Sequence, residues 1–336
     1  MKRKRYIIFM IIYTILLQSI IVGCNHIKDN TIDNVEIDKN KEEQALKLEN
    51  GAYIKENSEK YSVYNKEQLA IVDTTKAILN YNKEKQTYVF NENGTYFVNY
   101  EGENYKITDK RIYNIRISPN GEYLLYFVKE EFLVPKIYNI KDGKEEEIAN
   151  NAMISGQYID WIDNNICFYG VDNEEKVAGI FIHNIITKEE KCIYKVENGF
   201  IEYFQNVGEK IIFVEEKYDK NKLIKSVDIS EKVEILYENS EDVYDVEITE
   251  EGLFILGKIE KNLYSLYKIS AGEARRLVFD FPYNINFEKG ISKGENGEIL
   301  FVGSNMDGKE EIYSYHNETI STTNGDNGNF NFININ

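Results

Sequence analysis

The 336-residue chain carries 57 acidic and 40 basic residues, a formal net charge of −17. That balance argues against nucleic acid or anionic lipid as the main partner, because both are held through basic patches. Three cysteines and three histidines are present, and none shows metal-ligand spacing.

Met1–Gly23 stands apart from the rest. Lys2, Arg3, Lys4 and Arg5 form a basic start, and Tyr6–Val22 is apolar except for Thr14, Gln18 and Ser19. A run of about 17 residues is short for a membrane span and suits the core of a signal peptide. Ile21-Val22-Gly23-Cys24 then resembles the lipobox of bacterial lipoproteins. The resemblance implies that residues 1–23 are removed and that Cys24 is lipidated. It implies anchoring to the bacterial cell membrane on the extracytoplasmic side. Two or more acyl chains would hold stably where one alone is marginal. Removing Lys2–Arg5 leaves 36 basic against 57 acidic residues, −21. Such a charge suits a soluble, self-repelling exported domain and leaves a cationic ligand or partner open.

Residues 24–60 are polar, with Asp29, Asp33, Glu36, Asp38, Glu42 and Glu43 among lysines. They offer little to bury and are expected to form a flexible acidic tether. Residues 61–336 are expected to form the folded domain. The stretch Tyr61–Lys110 holds strand-like runs at Gln68–Val72, Ala77–Tyr81, Thr87–Phe90, Thr95–Tyr100 and Tyr105–Thr108. Asn93-Gly94 looks like a repeat turn, yet it lies only 27 residues before Gly121. One blade with extra strands fits this stretch, and so do one and a half irregular blades.

Ile112–Phe127 reads IYNIRISPNGEYLLYF. Tyr113, Ile115 and Ile117 alternate with polar residues, as in a strand with one apolar face. Ser118-Pro119-Asn120-Gly121 is a turn. Tyr123–Val128 is apolar on both faces, as in a strand covered on both sides. The phrase returns with turns at Asn165, Gly208, Gly252 and Gly297, at intervals of 44, 43, 44 and 45 residues. A period of about 40–45 residues with four strands per unit is that of a propeller blade. Ser-Pro-Asn-Gly-Glu-Tyr-Leu-Leu-Tyr, Ser118–Tyr126, resembles the signature of TolB-type, WD40-like propeller repeats. That family implies six or seven blades and no single activity.

The expectation is an all-β propeller, six blades first and seven as the other count. The tail Phe330-Asn331-Phe332-Ile333-Asn334-Ile335 alternates like one more inner strand. A ring loses its free edges only if its ends meet. The tail is therefore expected to complete the first blade, with the other strands of that blade drawn from Tyr61–Lys110.

Chemical motifs are weak. Gly290-Ile291-Ser292-Lys293-Gly294 matches G-x-S-x-G, but a turn and strand follow where a nucleophile elbow needs a helix. Asp307-Gly308 and Asn324–Asn329 read as turns and not as a calcium loop. Cys167 and Cys192 fall on the second and fourth strands of one blade. Strands are about 4.8 Å apart, so these cysteines are separated by roughly 9–10 Å, beyond disulfide reach. Trp161 reads as core.

Polar positions on inner strands face the channel: Asn114, Arg116, Asp160, Asp245, Glu247, Asn284 and Asn286. These are the candidates for a small ligand or peptide, against the plainer reading of solvated lining. No catalytic, metal or cofactor site is expected. The first functional expectation is a binding or scaffold propeller for a protein, peptide or cell-envelope ligand. The alternatives are an enzyme with its centre in the channel and a sensor subunit of a membrane complex.

Overall fold

A computed structural model describes residues 46–336, apart from 66, 67, 110, 147, 149, 150, 239 and 324–326. The expected signal segment, Cys24, most of the expected tether and Asn324–Asp326 lie outside the described residues. Seven sheets make up the fold, so the count is seven blades, not six.

Blade 1 comprises, from the channel outwards, Asn329–Phe332, Tyr53–Asn57, Lys60–Asn65 and Gln68–Thr74. Blade 2 comprises Lys76–Asn82, Thr87–Glu92, Thr95–Tyr100 and Glu103–Lys106. Blade 3 runs through Ile112–Ile117, Tyr123–Lys129, Leu133–Asn139 and Lys144–Glu146. Blade 4 follows with Ala152–Ile162, Asn165–Asp172, Ala178–Asn184 and Glu190–Lys195. Blade 5 has Gly199–Val207, Lys210–Lys217, Lys222–Asp228 and Val233–Glu238. Blade 6 has Ser240–Thr249, Gly252–Ile259, Ser265–Ser270 and Glu273–Arg276. In blade 7 the inner strand is broken into Asn284–Ile285 and Ile291–Lys293 by a 3₁₀ turn at Phe287–Lys289. Ile299–Ser304, Glu310–His316 and Thr319–Thr322 complete it.

The apolar runs that mark each second strand follow from burial on both faces. In blade 3, Leu124, Tyr126 and Val128 enter the core shared with blade 2. Leu125 and Phe127, pointing the other way, enter the core shared with blade 4. Blade 6 repeats the division, with Leu253 and Ile255 towards blade 5 and Phe254 and Leu256 towards blade 7. Each fully buried side chain of this size contributes about 1.5–3 kcal/mol. The core is thus a ring of inter-blade cores.

The tail closes the ring, as expected, but across two blades. Asn329–Phe332 pairs antiparallel with Tyr53–Asn57, and Asn334–Ile335 pairs parallel with Asn80 and Tyr81 of blade 2. Tyr53 and Phe330, both fully buried, meet edge to face at 5.7 Å and pack with Leu300, Val302 and Ile312 of blade 7. The other strands of blade 1 come from residues 53–74. The expected tether therefore extends too far: Tyr53–Asn57 is a core strand, and Lys60 opens the next. Asn93-Gly94 is the hairpin between the second and third strands of blade 2, whereas the first turn of that blade is residues 83–86. Tyr61–Lys110 therefore holds the two outer strands of blade 1 and all of blade 2.

Cys167 and Cys192 are free thiols separated by the strand Ala178–Asn184. Trp161 is buried, and its indole donates to the Arg116 carbonyl at 3.3 Å. The Gly290–Gly294 match lies on the inner side of blade 7 and is followed by a turn and a strand. Among the described residues no helix is long and apolar enough to cross a membrane.

Candidate functional site

The inner strands bring the channel candidates into two groups. In the first, Asn114 adopts φ of 50° in the bulge between Tyr113 and Arg116, a conformation asparagine tolerates better than most residues. Its Oδ1 accepts from Arg116 Nε at 3.2 Å, and Arg116 Nη1 donates to Asp160 Oδ2. Burial works against the guanidinium charge, but Asp160 outweighs it and the Arg116 pKa rises.

Asp160 is also committed to the fold. Its Oδ1 accepts the Trp161 N–H at 2.8 Å, and its Oδ2 accepts the Asn206 N–H of blade 5 at 3.1 Å. Asp245 is held in the same way. Its Oδ1 accepts from Val246 N and the Tyr203 hydroxyl, and its Oδ2 accepts the Ile291 N–H of blade 7 at 2.8 Å. Asn80 Oδ1 accepts the Ile117 N–H between blades 2 and 3 at 3.1 Å. These three side chains are latches across alternate seams.

Glu247 differs. Its carboxyl makes no ion pair among the described residues. Burial first, then the Asp245 charge, lifts it to about 8, against the pull of Lys293. Burial likewise lifts Asp245 to about 6, against its N–H and hydroxyl donors. Asn284 and Asn286 lie apart from both groups, on the broken strand of blade 7. Asn286 Oδ1 caps the 3₁₀ turn by accepting Glu288 N, and its Nδ2 donates to Glu310 Oε1 at 2.6 Å.

Those asparagines line a cavity of about 440 Å³ with Tyr244, Ile285, Phe287, Glu288, Gly303, Ser304 and Glu310. A second cavity, of about 230 Å³, is lined by Glu202, Tyr203, Asp242, Val243 and Tyr244. Tyr244 belongs to both. Its half-exposed ring lies 5.2 Å from Phe287 and 6.1 Å from Tyr264, and Tyr264 lies 5.8 Å from Phe287. The Tyr264 hydroxyl donates to Asp242 Oδ2, which raises its pKa to about 12.

Both cavities open on one face. In four-stranded antiparallel blades the connections alternate between the two ends of the ring. One face carries the connections from second to third strands and from one blade to the next. Phe132, Tyr218, Leu263, Tyr264, Phe279, Phe281, Tyr283 and Met306 all stand exposed on those connections. The turns of the opposite face show Ile186 and Ile229 among the large exposed apolar side chains. The channel positions named from alternation do not include this face. The signal was present in Phe279-Asp280-Phe281-Pro282-Tyr283, an aromatic run in a connection where polar turn residues are usual.

Among the described residues no group of three or more His, Cys, Asp or Glu side chains is arranged to hold a metal ion. The class defined by this architecture is the seven-bladed β-propeller. No family model and no curated protein matches the chain. Solved structures do. An oligogalacturonate lyase from Vibrio parahaemolyticus matches with TM-score 0.55 at 12% identity, over 76% of this chain and 82% of that one. An oligogalacturonate lyase in complex with manganese matches with TM-score 0.51 at 12% identity, over 79% and 83%. TolB proteins are among the similar structures. The one from Acinetobacter baumannii has TM-score 0.46 and 11% identity over 84% of this chain, which spans 65% of the TolB length. Likeness at such identities establishes the fold alone.

Proposed function

We propose that the chain is a membrane-anchored, extracytoplasmic binding propeller that takes a protein, peptide or envelope partner on the aromatic face. The carrying observation is the one-sided distribution of exposed apolar side chains around the ring. Exposed apolar side chains gathered on one face point to an interaction surface. The anchor part of the reading draws on the basic start, the apolar run and Cys24.

Crosslinking in intact cells tests the binding role. Leu263, Phe279 and Met306 are 66%, 68% and 86% exposed, and Ile186 on the other face is 72% exposed. Leu263→Ser, Phe279→Ser and Met306→Ser together should abolish crosslinked adducts that Ile186→Ser leaves intact. Adducts unchanged by the triple substitution would remove the aromatic face from the account.

An enzymatic alternative draws on Glu247, whose half-buried carboxyl, with its pKa raised to about 8, suits a general acid. The similarity to oligogalacturonate lyases supplies a substrate to try. Turnover of oligogalacturonate, lost in Glu247→Gln, would replace the binding reading.

A further inference from the structure

The two cavities that share Tyr244 have walls of one kind. Glu202 and Asp242 line the smaller, Glu288 and Glu310 the larger, and neither is lined by Lys, Arg or His. Glu202 is ion-paired with Lys222. Asp242, Glu288 and Glu310 have no basic partner among the described residues.

The Tyr244 ring lines both cavities and the Phe287 ring the larger, and ring faces attract cations. The protein already uses its own cations this way nearby. Lys258 Nζ lies 5.9 Å from the centre of the Tyr264 ring, and the Arg276 guanidinium lies 5.1 Å from that of Phe279. Lys258 is held by Glu241 and does not line either cavity. A neutral saccharide would use the rings and amides but leave three carboxylates facing it without cations. An anionic ligand would be repelled. A cavity of about 230 Å³ is smaller than those that enclose drug-sized molecules, about 300–1,000 Å³. A side chain reaching in from a longer ligand suits it better.

We propose that these cavities are a recognition site for basic side chains, lysine or arginine, presented by an extended segment of a partner protein. One side chain enters on either side of Tyr244. Asp242 and Glu310 supply the opposing charge, while Tyr244 and Phe287 supply the ring faces. This rests on the binding reading above and names the chemistry of the partner.

Calorimetry with the peptide acetyl-Gly-Lys-Gly-Lys-Gly-amide tests it, with the same peptide acetylated on both lysines and a neutral trisaccharide alongside. The lysine peptide should bind. Asp242→Asn and Tyr244→Ala should each weaken it about tenfold, and Ile186→Ser should leave it unchanged. Raising NaCl from about 0.05 M to about 0.5 M should weaken it further. Thermal melts of each variant separate lost binding from lost folding. Conservative Tyr244→Phe, which keeps a ring face, should restore most of the affinity. The proposal is overturned if the lysine peptide does not bind, or binds both variants as tightly as the parent. Equal binding of the acetylated peptide or the trisaccharide overturns it as well. Crosslinked adducts that still vanish in the Leu263, Phe279 and Met306 variant would then leave the broader binding role standing.

Discussion

Asp245 accepts the Ile291 N–H at 2.8 Å across the seam between blades 6 and 7, while Tyr203 reaches the same carboxylate from blade 5. One side chain thus ties three consecutive blades. Asp245→Asn cannot replace it. Its two oxygens each accept a backbone N–H, from Val246 and from Ile291, and an amide nitrogen cannot accept one. The substitution should destabilise the fold by about 1–3 kcal/mol. Chemical denaturation of parent and variant measures this, and equal midpoints and slopes would refute it.

Deleting Asn329–Asn336 should lower the melting temperature by on the order of 10 °C and promote aggregation. The deletion removes buried Phe330 and Ile333 and uncovers the edge of Tyr53–Asn57. A truncated chain with the parent's melting temperature and solubility would contradict the closure.

Glu247 makes stability depend on pH. Its carboxyl has an ordinary value of 4.5 and titrates at about 8 in the folded protein. Between those values the folded chain holds a proton that the unfolded chain has lost. This contribution to stability is therefore complete at low pH and disappears as pH rises towards and through 8. Glu247→Gln should melt increasingly above the parent as pH is raised from about 5 to about 8.5. A constant difference across that range would show that the carboxyl titrates normally.

Both propeller cysteines should react with a thiol reagent after denaturation without reductant. In the native protein Cys167 should be the slower. It is fully buried, and burial raises its pKa well above the usual thiol value. Half-buried Cys192 is raised less by its surroundings, because a backbone hydrogen bond at Tyr194 and the Lys195 charge partly offset burial. Native labelling of Cys167 at the rate of Cys192 would contradict this packing.

Cys24→Ala should release the protein from membranes or leave it with its leader attached. Unchanged mass and membrane retention in that variant would dismiss lipidation.

The five regular blades were readable because each repeats a turn followed by a strand that is apolar on both faces, such as Leu124–Val128. Blade 2 was obscured by its own turns. Asn93-Gly94 has the composition of a repeat turn but closes the second hairpin, while the first turn is the plain run 83–86. Blade 1 was obscured by distance. Its inner strand lies more than 270 positions from Tyr53, and Tyr53-Ile54 is a short apolar pair in a polar stretch. Inner-strand polar residues were found by alternation, but alternation gives a face and not a partner. Alternation places Asp160 and Asp245 on the channel face but does not show their backbone donors, 46 positions away in each case. The larger cavity beside Tyr244 lies on the break in the blade 7 inner strand. Asn286 caps that break locally, but nothing in its periodicity announces it.

The Tyr53–Asn57 clasp also has a mechanical meaning. A force arriving through the chain before Leu46 meets the bonds of Tyr81 to Leu46 and of Asn65 to Lys47 and Glu49, and then Tyr53–Asn57, whose neighbours are Lys60–Asn65 and the tail strand Asn329–Phe332. Pulled along its length, that strand loads its flanking hydrogen bonds together, in shear, instead of opening them one at a time. The Ile333 N–H bonded to the Ala52 carbonyl at 2.9 Å sits where such a load enters. Anchoring through Cys24, as proposed, would load the ring along this strand instead of peeling it from an edge.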